Sequence, residues 1–386
     1  MLKVVFDATP LLPKLTGVGF YVYNLIQSLH ILQKTENFQL GIYYQPSLKK
    51  WLTRQLVLPE KIQGYSNLYM LPIPVRISNL LARFPNPILS AFENGFQDAN
   101  IVHGNDYTVY PCKKSLKVMT IPDVTFIKYP NYVNSSVKRY KGRVQQSLKW
   151  TDLVITISES SKKDIVEYLQ VEPNRICVTP LASRYYQGYI YNNIASRLDL
   201  NIVYDFSKPY ILFVSTLEPR KNIINLIKAF NLLKNDYNIE HQLVLVGKKG
   251  WHYEPIFTAI KSSMWEQHIY HLDYLCDNLV AHFYSKADVF VYPSYYEGFG
   301  LPVLEAMTLG TPVVTSNTSS LPEVAGDAAL LVDPNDPTQL ADAILKVISD
   351  SSIRQELIDK GKERAKLFSW ERTAKETINA YKYLMT

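Results

Sequence analysis

The sequence predicts an α/β protein of two domains, each a parallel sheet covered by helices on both faces. Its 386 residues exceed what one ordinary core accommodates and suit two domains of common size. Short β-branched runs recur with amphipathic stretches between them, the pattern of parallel strands buried on both sides. The rhythm breaks once, in a polar stretch from about Arg184 to Pro209, and then restarts.

In the first domain, residues 1–184, the strand-like runs are Val4-Val5-Phe6, Leu40 to Tyr44, Ile101-Val102-His103, Val118 to Ile121, Leu153 to Ile157 and Ile176-Cys177-Val178. In the second, residues 208–368, they are Ile211 to Ser215, Leu243 to Gly247, Ile269 to Leu272, Val289 to Pro293, Pro312 to Ser316 and Ala329 to Val332. Helix starts are marked by Ser320-Leu321-Pro322-Glu323, which reads as a capping box, and by Asp336-Pro337, an N-cap before a first-turn proline. A last helix begins near Ser369, and Trp370, Ala374, Ile378 and Tyr381 form an apolar stripe that must dock on a neighbour.

Hydrophobic residues at 47% and charged residues at 20% place the chain among globular enzymes and exclude a disordered or fibrous one. No apolar run approaches the roughly 18 residues of a membrane span, and the start lacks a signal-peptide core, so a cytoplasmic location is expected. Cys112, Cys177 and Cys276 lie far apart and read as buried thiols.

The net charge of +6 is unevenly spread, since residues 1–190 carry 22 Lys+Arg against 12 Asp+Glu. Such a half attracts anions, and peripheral contact with the inner face of a membrane is one candidate role. Nucleic acid ranks last because no zinc-finger spacing, RNP motif or basic zipper accompanies the charge.

The informative stretch is Tyr292-Pro293-Ser294-Tyr295-Tyr296-Glu297-Gly298-Phe299-Gly300-Leu301-Pro302-Val303-Leu304-Glu305-Ala306-Met307. It reads as a strand end, a tight glycine loop and a short helix opened by Pro302 and ended at Gly310. The amides of Phe299, Gly300 and Leu301, at the positive end of that helix, suit a diphosphate, and Gly298 and Gly300 let backbone approach it closely. Glu297 lies in the loop and Glu305 within the helix. One can face a sugar while the other accepts hydrogen bonds from a ribose diol, although each alone could be an ordinary loop or helix carboxylate. A second stretch, Phe213 to Asn222, is a strand followed by Thr216 and the adjacent cations Arg220 and Lys221, a placement that asks for a compensating anion.

Glu297 and Glu305, inside Glu-Gly-Phe-Gly-Leu-Pro-Val-Leu-Glu-Ala-Met, resemble the Glu-x7-Glu motif of glycosyltransferase family 4. The resemblance covers nearly the whole chain, and its nearest subgroup is the mannosyltransferase-like enzymes of bacterial surface-polysaccharide biosynthesis. It implies a GT-B fold, two Rossmann-like domains facing a cleft with the last helix, 369–386, crossing back to the first. It also implies a retaining transfer of a hexose, mannose foremost, from a GDP-sugar or UDP-sugar to a saccharide or lipid-linked saccharide.

By the same resemblance Lys221 matches the lysine on the donor diphosphate, and Arg220 supplies the charge that many members place where this chain has Thr216. Glu297 positions the sugar and Glu305 holds the ribose. Gly17, in Thr16-Gly17-Val18-Gly19, matches the amino-terminal glycine loop. Asp123 is a catalytic candidate beside Pro122, which replaces a histidine found in many relatives. Gly247 with the Tyr274-Leu275 turn marks the nucleobase end.

No Asp-x-Asp pair occurs, so no metal and no resident cofactor are expected. Lys138, Arg139, Lys141, Arg143 and Lys149 form either a solvated face or an acceptor or membrane patch. Leu80, Leu81, Phe84, Ile88, Leu89 and Phe92 read first as core and second as an apolar surface. A sugar-nucleotide 2-epimerase and a non-catalytic nucleotide-sugar-binding protein are the rival classes.

Overall fold

The computed structural model describes residues 1–12, 16–81, 93, 98–189 and 204–386. They divide into two compact units, one of Met1–Pro130, Ser135–Leu181 and Ser369–Thr386, the other of Asn131–Asn134 and Ala182–Phe368.

The first unit is built on β1 (Leu2–Asp7), β2 (Phe38–Tyr44), β3 (Leu68–Met70), β4 (Ile101–Gly104), β5 (Leu116–Thr120), β6 (Leu153–Thr156) and β7 (Ile176–Val178). They form one parallel sheet in the order β3-β2-β1-β4-β5-β6-β7. The apolar pattern foretells all but β3, a half-buried three-residue edge strand too short to show a run.

The closing helix Trp370–Met385 packs on the helix Gly17–Leu32. Ala374, Ile378 and Tyr381 are wholly buried, and Trp370 meets Phe20 edge to face. The Tyr381 hydroxyl lies 2.6 Å from His103 Nδ1 at the core, and Thr373 Oγ1 donates to the Pro180 carbonyl at 2.6 Å. The apolar stripe thus finds its partner in the first unit.

The second unit holds β8 (Tyr210–Val214), β9 (Gln242–Val246), β10 (Ile269–Leu272), β11 (Val289–Tyr292), β12 (Val313–Ser316) and β13 (Ala329–Val332), again parallel, in the order β10-β9-β8-β11-β12-β13. β8 and β9 are buried along their whole length, as strands covered on both faces must be. Strand order reverses at β8, which pairs with β9 on one side and β11 on the other. In open α/β sheets the crevice beyond the carboxyl ends at such a reversal is where ligands bind.

Some local expectations need correction. Ser320 does not cap the helix Leu321–Ala325; its hydroxyl is turned instead towards the carbonyls of Glu297 and Phe299, to which it donates at 2.9 and 2.8 Å. Asp336 does cap, accepting from the Thr338 and Gln339 amides. Cys112 is buried, but Cys276 is exposed, since it opens a surface helix at Asp277. Leu80 is exposed rather than core, on a short helix that leaves it facing outward, whereas Phe84, Ile88, Leu89 and Phe92 lie outside the described residues. No helix among the described residues is long and apolar enough to cross a membrane.

Candidate active site

The chain leaving β8 turns back over its own sheet. Leu217 N donates to Lys248 O at 2.9 Å and extends the β8 to β9 ladder past the strand ends. Gly247 has φ 143°, and a Cβ there would lie 1.9 Å from the Ser215 carbonyl oxygen, so only glycine lets the two strand exits run this close. A 3-10 turn, Pro219–Lys221, follows, ended by Asn222 in the left-handed conformation. The Asn222 side chain donates from Nδ2 to the carbonyls of Pro293 at 3.0 Å and Pro334 at 2.6 Å, tying the exits of β8, β11 and β13 together.

The chain leaving β11 supplies the facing loop. Glu297 N donates to Ser319 Oγ at 2.9 Å, and Ser320 holds the carbonyls of Glu297 and Phe299. Gly300 has φ 107°, a conformation that admits the abrupt entry into the helix Leu301–Leu309. Among the described residues no side chain caps that helix start, where the helix dipole is positive. Phe299 is buried against Phe368, which fixes the loop from behind.

These two loops bring four charges together. Lys221 Nζ lies 2.6 Å from Glu297 Oε1 and donates to the Tyr292 hydroxyl at 2.7 Å. Arg220 reaches Glu297 Oε2 at 2.8 Å, Glu218 Oε1 at 2.8 Å and the Tyr296 carbonyl at 2.7 Å. Burial pushes the Glu297 carboxyl up, but the Arg220 and Lys221 cations outweigh it and hold the group at about 2. Burial and the Arg220 charge pull Lys221 down; Glu297, Tyr292 and Glu218 reverse this, leaving its ammonium above its ordinary range. Each shift favours the charged form, so the Glu297 carboxylate and the Lys221 ammonium stabilise one another.

Glu305 sits apart from this cluster. It is buried on the helix Leu301–Leu309, where Arg184 donates to both its oxygens and also bonds Asp277 at 2.7 Å. The Tyr284 hydroxyl stands 3.5 Å from Glu305 Oε2. Thr216 is half-buried just beyond β8, Gly298 lies between Glu297 and Phe299, and Leu275 follows an exposed Tyr274 beyond β10. Gly247 N donates to Leu272 O at 2.8 Å, so the Gly247 and Tyr274-Leu275 segments leave neighbouring strands.

Gly17 and Asp123 belong to the first unit. Thr16 caps the helix that Gly17 opens, and a Cβ on Gly17 would meet nothing within 4 Å. Asp123 Oδ1 accepts from the Thr125 amide at 2.9 Å and the Tyr107 hydroxyl at 3.4 Å. Of the basic cluster, Lys138, Arg139, Lys141 and Lys149 are exposed, whereas Arg143 turns inward to the Asp106 carbonyl at 2.6 Å.

Sequence reasoning missed Arg184, Glu218, Tyr292 and Asn222 as parts of these networks. For Glu218 and Asn222 a signal existed, since each flanks the Arg220-Lys221 pair in the same loop. Arg184 comes from a polar stretch with no periodicity, far along the chain from its carboxylate.

The profile of the family described as "Glycosyl transferases group 1" matches residues 204–364. The O-antigen chain mannosyltransferase B of Escherichia coli is 34% identical over 388 residues, covering 99% of this chain and 100% of that protein. The chain belongs to the group 1 glycosyltransferases. A second relative, the MMP alpha-(1->4)-mannosyltransferase of Mycolicibacterium hassiacum, is 29% identical over 257 residues, 64% of this chain and 58% of its own length. Among solved structures, the sucrose-phosphate synthase from Thermosynechococcus elongatus superposes with TM-score 0.72 at 21% identity, over 100% of this chain and 99% of that one. That likeness shows the two-domain GT-B fold, and the family establishes that the chain is a glycosyltransferase.

Proposed function

We propose that this glycosyltransferase moves a mannose, with retention and without a metal, from a nucleoside diphosphate sugar to a saccharide or lipid-linked saccharide of a bacterial surface polysaccharide. The observation that carries the reading is the convergence of Arg220, Lys221 and an uncapped helix start at the strand-order reversal of the second sheet. The mannosyl specificity is suggested by the two relatives' names.

In this reading the diphosphate accepts hydrogen bonds from Lys221, Arg220 and the amides of Phe299, Gly300 and Leu301. As the bond from the anomeric carbon to the phosphate oxygen breaks, negative charge grows on that oxygen and meets donors already fixed in place. The leaving phosphate takes the acceptor proton, and the new bond forms on the face that the old one leaves. Glu297 holds the two cations in register and faces the sugar, while Glu305 takes the ribose diol. Gly298 gives the loop its close approach, and Thr216, Gly247, Tyr274 and Leu275 surround the nucleoside. Gly17 and Asp123 are assigned to phosphate and acceptor contacts, respectively. A lipid-linked acceptor brings with it a cytoplasmic, peripheral contact of the basic first unit with the inner membrane face.

A transfer assay with GDP-mannose, UDP-glucose and a mannosyl acceptor tests this. Lys221→Ala is expected to lower kcat/KM by about 2–4 kcal/mol of transition-state stabilisation. Unchanged kcat/KM removes Lys221 from the mechanism, and an inverted product rejects retention.

A further inference from the structure

Among the described residues of the first unit, the segment directly after β2 leaves several large apolar side chains outside the core. A five-residue helix, Leu48–Leu52, buries none of its residues. Its Trp51 is 39% exposed and Leu52 67%, and the loop that follows leaves Leu56 41% and Val57 62% exposed. The segment is held nonetheless: Ser47 caps the helix, and Trp51 Nε1 donates to the Pro72 carbonyl at 2.9 Å. The short helix Val75–Leu81 packs beside it and adds Leu80, 54% exposed. Large apolar side chains gathered this way on a water-facing surface mark an interaction site.

Charge identifies the partner. Between Ser47 and Pro59 the chain carries Lys49, Lys50 and Arg54 and no acidic residue. Tryptophan and leucine interleaved with lysine and arginine match the boundary of an anionic bilayer, where the rings and aliphatic groups enter the headgroup layer and the cations meet phosphate. Neither signal suffices alone: a few apolar side chains bind weakly, and charge alone is screened by salt within about 10 Å. Together they supply the two signals that stable peripheral attachment requires.

We propose that residues 48–57, with Leu80, form the surface by which this protein attaches to an anionic lipid bilayer. This rests on the peripheral contact inferred above and names its location. The binding assay involves no sugar, so its failure would leave the transferase reading standing.

The full chain is sedimented with vesicles of phosphatidylcholine alone or mixed with phosphatidylglycerol. Binding is expected for the mixed vesicles and much less for the neutral ones, with a blue shift of tryptophan emission that Trp51→Phe removes. Leu52→Asp with Val57→Asp is expected to abolish it, and Lys49→Glu with Arg54→Glu to weaken it by on the order of 100-fold or more. All five substituted positions are exposed, and unchanged melting curves verify that the variants fold. Absence of wild-type binding overturns the proposal, as does full binding by either double variant. Self-association in sedimentation velocity that Leu52→Asp disrupts, with no vesicle binding, assigns the face to a second copy of the chain instead.

Discussion

Both carboxylate oxygens of Glu305 are engaged by one guanidinium: Arg184 Nε donates to Oε1 at 2.6 Å and a terminal nitrogen to Oε2 at 3.1 Å. Glu305 is 2% exposed, so it relies on this pair for most of the stabilisation that water would otherwise give. Arg184→Ala is expected to destabilise the protein by about 2 kcal/mol, below the full cost for a buried pair because the arginine is partly exposed. Glu305→Gln and the double variant complete a cycle, read by urea unfolding, in which the coupling should fall at about 1–3 kcal/mol. Additive single effects contradict the pairing.

Two glycines make opposite demands. A Cβ at Gly247 collides with the Ser215 carbonyl, and Gly247→Ala should destabilise the second unit by several kcal/mol, on the order of 3. Nothing lies within 4 Å of a Cβ at Gly17, so Gly17→Ala should melt as the wild type does. If Gly17 serves a phosphate, the same variant raises the donor KM. A Gly17→Ala protein with reduced stability and normal KM contradicts that role.

Acid stability reports on Glu297. Its folded-state carboxyl is lowered to about 2, so the stability it contributes is fully present above the ordinary carboxylate range and is lost as pH falls towards 2. Glu297→Gln should lack this part of the acid-unfolding slope while behaving similarly at each pH below it. Identical slopes for the two proteins between pH 4.5 and pH 2 would show that Glu297 is not held by the cations.

Asp7, at the end of β1, gives the opposite sign. Burial raises its carboxyl to about 7, against hydrogen bonds from Thr9 that lower it. The folded state keeps a proton that the unfolded chain gives up, so this residue's contribution to stability declines as pH rises towards 7. Asp7→Asn should remove that decline, seen as a smaller difference in Tm between acidic and alkaline buffer. An unchanged difference rules out a protonated Asp7.

Much of the fold is legible in the amino-acid sequence. The strand runs, the docking stripe Trp370, Ala374, Ile378 and Tyr381, and the loops carrying Arg220, Lys221 and Glu297 are local patterns, and local patterns survive in sequence. What stayed hidden depends on tertiary placement. Arg184 meets Glu305 only because separate segments pack together. Ser320 reads as a helix cap because the Glu297 and Phe299 carbonyls to which its hydroxyl donates lie 23 and 21 residues earlier in the chain, beyond any local pattern. The exposed face at residues 48–57 reads as unremarkable apolar sequence until the core is seen to leave it out.

The most direct test compares the binding of GDP, UDP and their nucleosides to the wild type and to Lys221→Ala by calorimetry. If the cluster around Arg220 and Lys221 is a pyrophosphate pocket, one diphosphate binds far more tightly than its nucleoside. Lys221→Ala then loses about 1.5–3 kcal/mol of diphosphate affinity and none for the nucleoside. Equal binding of diphosphate and nucleoside, or a Lys221→Ala protein that binds the diphosphate as the wild type does, contradicts the central claim.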